Sequence, residues 1–415
     1  MQTPDSAAIT ILNHISRLPS ERVQVHDALD RVLADDIVSP VNLPHWDNSA
    51  MDGYAVRSSD LTGIPPHELE IIEEIAAGAF PAKVVGTGEC SRIFTGAPVP
   101  QGSDGVVRQE DTTRLSDTRV RIDDMRDVGR NVRPMGEDVR VGDTALRAGT
   151  PLGPAQLGIL VSVACFDAPV HRKPLVAILG SGDEIADVDE RDAILNGRKI
   201  ASSNTYTLAA LIEKAGGDVV SLGIAKDDPD DLRSRLLRAE PADLVVTTAG
   251  ISVGEHDYLH QVLEDLQLDK KFWRIRMRPG APVGFGLIGD IGGRPWIGLP
   301  GNPVSTMVTF ELFVRPAIRK MLGYTAVFRR LTPVVVGEPI TLGPSLRHFL
   351  RVTLTGEPGK LTAHLTGPQG SGILTSMAHA DALMIVPENK PEVAAGEVLS
   401  AIVLDSNRHA EECPW

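Results

Sequence analysis

The sequence is short of several things that define common protein classes. Aromatic residues make up only 4% of it, which argues against stacked-base recognition as a main function. Basic residues are outnumbered, 41 Lys+Arg against 55 Asp+Glu, for a formal net charge of −14. A general nucleic-acid binder would need the opposite balance to offset phosphate. Only three cysteines occur, Cys90, Cys165 and Cys413, and no two share a CxxC spacing. The odd count and the spacing argue against a disulfide framework or a thiolate zinc site and point to a reducing compartment. No apolar run approaches the roughly 20 residues of a membrane helix. The start, MQTPDSAAITILNHI, has no basic segment and no long apolar segment of the signal-peptide kind. The expectation is a soluble, cytoplasmic protein with neither nucleic acid nor membrane as partner.

Glycine (39) and proline (30) are plentiful among the 415 residues, so shaped loops fit better than a helical bundle. The length is close to three times the roughly 150 residues of an average domain, which suggests three or four domains. Apolar spacing predicts helices over 4–18 and about His26–Leu33. From about 45 to 150 short β-like runs alternate with turns. A helix is predicted over 149–165, with Pro154 in its first turn. Beyond Lys173 strands such as PLVAILG, DVVSLGI and DLVVTTAG alternate with helices, among them 202–217 and the long 302–322. That rhythm predicts a parallel sheet covered on both faces. From about 325 to 405 only short β-like runs remain, which suggests a small barrel or sandwich. No internal repeat is present.

In a doubly wound sheet the chemistry sits at the carboxyl ends of the strands. Three loops stand there. LGSGDEI (179–185) sets Ser181, Gly182, Asp183 and Glu184 after the first strand. Its acid pair could hold Mg²⁺, or be a solvated pair on a tight turn. The third glycine of GxGxxG is missing, so it is not the dinucleotide fingerprint. TTAGISVGEHDYL (247–259) carries Gly250, Ser252 and Gly254 into a helix start suited to an anion. GLPGNPVS (298–305) brings Pro300, Gly301, Asn302 and Pro303 to the long helix, with ordinary capping by Asn302 as the plainer alternative. Three such loops in one domain point to a nucleotide- or phosphate-bearing ligand, and the absence of GxxxxGK[ST] excludes a P-loop NTPase. FWRIRMRPG (272–280) alternates, so Arg274, Arg276 and Arg278 share one face of a predicted strand over 272–277. Three guanidinium groups suit an oxyanion; a solvated edge is the alternative. Asp47, Asp52, Thr95, Asp104, Glu110, Glu137 and Asp138 lie on acidic turns of the irregular β region, where spacing alone gives no mechanism.

DNSAMDGYAV, IFTGAPVP, GEDV, GSGDEI, SVGEHDY, RPGAP and GLPGNPVS, taken in this order, resemble the molybdenum-insertion enzymes of molybdenum cofactor biosynthesis, the MoeA family, which includes the E domain of gephyrin. With the flanking helices the resemblance covers nearly the whole chain. It implies a multidomain α+β and α/β fold: a helical linker domain (1–44 plus 140–172), an irregular β domain (45–139), a molybdopterin-binding, MogA-like parallel α/β domain (173–324) and a C-terminal β-barrel domain (325–415). It implies a homodimer with the site between the α/β domain of one subunit and the irregular β domain of the other. The implied activity is molybdopterin molybdenumtransferase: adenylylated molybdopterin and molybdate, with Mg²⁺, give molybdenum cofactor and AMP. The family's functional acids fall on Asp52, Asp138, Glu184, Asp227 and Asp257, with Thr95 in the same set. Glu184 and Asp257 then position metal and phosphate, with Asp183 and Glu184 as metal ligands, and Asp52 and Asp138 reach in from the second subunit. The oxyanion pocket falls on Arg278, Ser305, Arg351 and Ser371, with Arg274 or Arg276 as further cations. Three positions depart from the family pattern: Ala281 replaces a lysine, Ser202 an aspartate and Ala249 a glycine. They leave tungstate preference, or a silent paralogue acting as a binding scaffold, as alternatives.

Overall fold

A computed structural model of the chain describes residues 1–250, 258–343, 345–357 and 359–404. It has two compact units. The larger comprises 1–21, 30–32 and 171 onward, and the smaller 22–29 and 33–170.

The larger unit opens with helix α1 (Pro4–Asn13), N-capped by Thr3. Its Ala7 and Ile11 are fully buried in the core of this unit. The α/β layer follows: β1 (Leu175–Ser181), α2 (Ser203–Ala215), β2 (Asp218–Ala225), α3 (Pro229–Leu237), β3 (Leu244–Thr248), α4 (Tyr258–Asp265) and β4 (Leu268–Phe272). After a two-residue strand β5 (Met277–Arg278) come β6 (Gly284–Ile288), β7 (Arg294–Leu299) and α5 (Pro303–Thr309). The sheet order is β2-β1-β3-β7-β6-β4. The first four strands are parallel, as their alternation with helices requires, while β6 and β4 add an antiparallel edge that makes the sheet mixed. Val176 and Ile178 face one apolar core, and Ala177 and Leu179 face the other. Burial on both faces explains why these strands read as unbroken apolar runs.

The long helix predicted over 302–322 forms with one irregularity. A π turn (Phe310–Val314) separates α5 from α6 (Arg315–Met321). Pro316 supplies no backbone N–H and its ring crowds the preceding turn, which accounts for the widening there. The strand predicted over 272–277 does not form. The chain leaves the α/β sheet after Phe272 and reaches a second sheet at Met277, where β5 pairs in parallel with β9 (Arg347–Thr355). The alternation was nonetheless real in burial: Ile275 and Met277 are fully buried, and Arg274, Arg276 and Arg278 are exposed.

That second sheet also contains β8 (Leu331–Val336), β10 (Thr362–Leu365), β11 (Ala382–Val386) and β12 (Val398–Val403). The order β9-β10-β8-β12-β11 returns to β9 through a further β9–β11 pairing. The result is a closed five-stranded barrel around Val336, Val352, Leu354, Ala382 and Met384. Closure leaves those five strands no free edge among themselves.

In the smaller unit a six-stranded sheet runs in the order Gly105–Arg108, Gly53–Val56, Glu89–Ile93, His67–Ile75, Arg119–Ile122, Thr112–Arg114. Its ends do not pair, so it is an open half-barrel. The helix predicted over 149–165 is shorter, Pro154–Ser162. That predicted about His26–Leu33 is a 3₁₀ turn at Val25–Asp27, followed by Asp30 at φ +61°, a conformation no helix accepts. No helix among the described residues is long and apolar enough to cross a membrane.

Phe285 is fully buried in the core shared by the sheet and its helices. Phe285→Ala should cost about 3–5 kcal/mol, read as a lower urea midpoint for the larger unit; an unchanged midpoint would contradict the packing described.

Candidate active site

The carboxyl ends of β1, β3 and β7 surround a cavity of about 420 Å³. Ser181, Glu184, Gly301, Asn302 and Pro303, all read from the sequence, line it. Ile185, Ile200, Ala201, Ser202, Ser203, Asn204 and Thr248 line it too; Ile185 and Thr248 fall within loops read from the sequence, and Ser202 was noted as a departure from the family pattern, but none of the seven was singled out as a site residue. Their signal was the Ser-Ser-Asn helix start and a threonine ending an apolar strand.

Each loop has a local cause. Gly182 adopts φ +130°, and a Cβ there would fall 2.6–2.8 Å from the Glu184 carboxylate, which folds back over it. Only glycine allows that turn. Asp183 and Asp227 engage each other reciprocally: each backbone N–H donates to the other's carboxylate, at 3.4 and 3.3 Å. These two predicted acids therefore pin the β1 loop to the β2 loop, while Glu184 is the acid on the cavity wall. Gly250 follows Ala249, both with positive φ, and a Cβ on Gly250 would meet Leu259 at 3.1 Å. The Pro300 carbonyl accepts from Thr306 Oγ1 at 2.6 Å and Thr248 Oγ1 at 3.3 Å. Ser252, Gly254 and Asp257 lie outside the described residues.

Two helix starts converge on this cavity, that of α2 through Ser202–Asn204 and that of α5 through Asn302 and Pro303. Asn302 does occupy the N-cap position, with Pro303 as the first helical residue, but its side chain makes no capping bond; nor does that of Ser202. Ordinary capping thus fails to explain Asn302. At α2 no side-chain cap claims the first-turn N–H groups, and with the helix dipole behind them they favour an anion; at α5 Pro303 has no N–H and the Val304 N–H already donates to the Ser371 carbonyl.

A second cavity of about 360 Å³ lies against the barrel, lined by Arg278, Thr341, Gly343, His348, Arg351 and Gln369 among others. It brings together two of the predicted oxyanion ligands, Arg278 and Arg351. Their situations differ. Arg351 is fully buried, and its guanidinium donates to Ser376 Oγ (2.8 Å) and to the carbonyls of Pro368 (3.2 Å), Gln369 (3.3 Å) and Gly370 (3.1 Å). Burial pushes its pKa below the ordinary arginine value. Four donated bonds make it the clasp of the 368–370 loop and of Ser376. Arg278 is exposed and is the cation available on that wall. Ser371 accepts from the Val304 N–H at 3.1 Å, so it and the buried Ser305 sit together at the start of α5, away from this wall. Arg274 is exposed and lines neither cavity.

In the smaller unit Asp52 and Thr95 do meet. Asp52 Oδ1 accepts from the Thr95 N–H at 2.8 Å and from Thr95 Oγ1 at 2.7 Å. These bonds, the backbone one foremost, hold the Asp52 carboxyl below the usual carboxylate range. Asp138 stands on a separate exposed turn, its N–H bonded to the Leu43 carbonyl. Asp47 accepts from the Met135 N–H, and Asp104 from Ser58, so both have structural work. Asn48 is buried and its Oδ1 has no partner among the described residues.

A helix start suited to an anion, an acid on the cavity wall and a separate cationic pocket are thus built on a doubly wound layer. Sequence comparison makes this specific. The chain matches the MoeA N-terminal region, domains I and II, over residues 3–164, a "Probable molybdopterin binding domain" over 177–320 and the MoeA C-terminal region, domain IV, over 333–404. It is 33% identical to the molybdopterin molybdenumtransferase of Staphylococcus aureus (strain COL) over 409 residues, 97% of this chain and 95% of that one. It is 32% identical to the Haemophilus influenzae molybdopterin molybdenumtransferase, covering 96% of this chain and 98% of the relative. The crystal structure of the molybdopterin biosynthesis moeA protein from Pyrococcus horikoshii OT3 superposes with a TM-score of 0.83 at 28% identity, covering 97% of this chain and all of that one. The chain belongs to the MoeA family.

A lowered carboxyl pKa means that Asp52 contributes stability above its unfolded value, about 3.9, and that this is lost as pH falls through the folded value. Thr95→Val removes the hydroxyl bond and keeps the backbone bond. The Asp52 midpoint should therefore rise part of the way back in a carboxyl-carbon NMR titration; an unmoved midpoint would refute the hydroxyl's share.

Proposed function

We propose that this chain is a molybdopterin molybdenumtransferase that inserts molybdenum from molybdate into adenylylated molybdopterin, giving molybdenum cofactor and AMP. The observation that carries the reading is the 420 Å³ cavity, where the uncapped start of α2, the Gly301–Pro303 turn and Glu184 face one space. Uncapped N–H groups suit the phosphates of the adenylylated pterin.

The site chemistry fits Mg²⁺ in a limited way. Among the described residues no three His, Cys, Asp or Glu side chains cluster closely enough to cage a metal. Mg²⁺ does not need a cage, since it commonly takes one or two carboxylates and fills its shell with phosphate oxygens and water. Glu184, on the cavity wall, would supply one such carboxylate and its neighbour Asp183 the other. The ion would neutralise charge on the phosphoanhydride. The chain's own part is to orient the phosphates on the start of α2 and to hold Asp52 ionised.

Asp52, Thr95 and Asp138 belong to a different compact unit from the cavity. We assign them to the cavity of a second copy, which makes the working form a homodimer. Arg278 receives the oxyanion in the second cavity. Cys90 is buried, with its thiol pushed up to about 12, and Cys90 and Cys165 are both free. Unpaired thiols suit a reducing, cytoplasmic setting.

The reading is tested by AMP release and cofactor formation from adenylylated molybdopterin with Mg²⁺, run with molybdate and separately with tungstate. Release that depends on molybdate supports it, dependence on tungstate alone reassigns the metal, and tight binding without release points to the scaffold reading. Asp52→Ala should lower the rate roughly 100-fold or more with the oligomeric state unchanged. Ala281→Lys, which supplies the cation that the family resemblance implies at this position, should tighten apparent molybdate affinity about tenfold; no change would sink that view of position 281.

A further inference from the structure

Asn204 stands in the first turn of α2, on the wall of the cavity. Its amide nitrogen donates both protons: one to Thr248 Oγ1 at 2.9 Å, the other to the Gly301 carbonyl at 2.7 Å. Thr248, buried at the end of β3, in turn donates to the Pro300 carbonyl. The chain of donors and acceptors is internally consistent. A carbonyl can only accept, so the Gly301 contact fixes which end of the Asn204 amide faces the loops. The other end, Oδ1, has no donor among the described residues.

We infer that Asn204 is a substrate-orienting residue. Its amide nitrogen sets the separation of the β3 turn from the β7–α5 loop, and its Oδ1 accepts a hydrogen bond from a donor on the bound ligand. This rests on the reading of the cavity as the site for the adenylylated pterin. The ligand chemistry is an N–H or O–H group, carried by either the pterin half or the nucleotide half. A lone acceptor with a fixed direction discriminates sharply, because a ligand without the matching donor leaves it unpaired.

The test is calorimetric binding of three probes to the intact protein without molybdate: adenylylated molybdopterin, AMP alone and molybdopterin alone. Asn204→Ala should weaken adenylylated molybdopterin and one of the two halves by about tenfold, and that half identifies the donor. Thr248→Val cuts the relay but keeps Oδ1 and the Gly301 contact, so its loss should be smaller. In turnover Asn204→Ala should raise KM with little change in kcat, a split that a merely loosened fold would not give. Wild-type protein that fails to bind adenylylated molybdopterin overturns the reading of the cavity. Wild-type binding with Asn204→Ala unaffected overturns this inference alone. If the alanine variant misfolds, Asn204→Ser, which removes Oδ1 but keeps a residue type favoured at helix starts, decides: affinity equal to wild type also overturns it.

Discussion

The central strands β1, β3 and β7 are buried on both faces, and the cavity lies where that burial ends. Residues 176–179 alternate strictly between two apolar cores, so no polar side chain has room until Ser181. Parallel pairing brings the carboxyl ends of the three strands to one edge of the layer. The helices that follow β7 and precede β2 must then start at that edge. Their N–H groups and the polar residues of the loops are the exposed remainder of an otherwise dry arrangement. Gly182, Gly250 and the Thr248–Pro300 bond shape this edge, but they could do nothing without the buried strands behind it.

Much of this was legible in the chain. The strand–helix rhythm gave the layer, and the end of helical patterning near 325 gave the barrel. The three loops were found because glycine, serine and asparagine interrupt apolar runs abruptly, which is a local signal. Asp52 with Thr95 came from family resemblance; 43 residues separate them, and no periodicity connects residues across such a gap.

What was missed was non-local or depended on competing bonds. Asn204 was not singled out in the sequence, and its value comes from Gly301, 97 residues away. Asn302 fitted capping by type and position, yet its side chain does not cap. Arg351 was read by its charge, but burial and four acceptors from one loop and Ser376 give it structural work. The stretch 272–277 had the alternation of a strand because alternate residues are buried, although it changes partners midway. Side-chain pattern reports burial; it does not report which sheet does the burying.

That change of partners has a mechanical consequence. β4 ends in the α/β layer and β5, five residues later, is hydrogen-bonded into the barrel wall through Met277 and Arg278. The four residues between them offer little slack, and Ile275 and Met277 between and within these strands are fully buried. The barrel is therefore riveted to the layer rather than hung from it on a linker. Force or heat that parts them must strip β5 from β9 or expose those two side chains, so the layer and barrel should yield as one cooperative body.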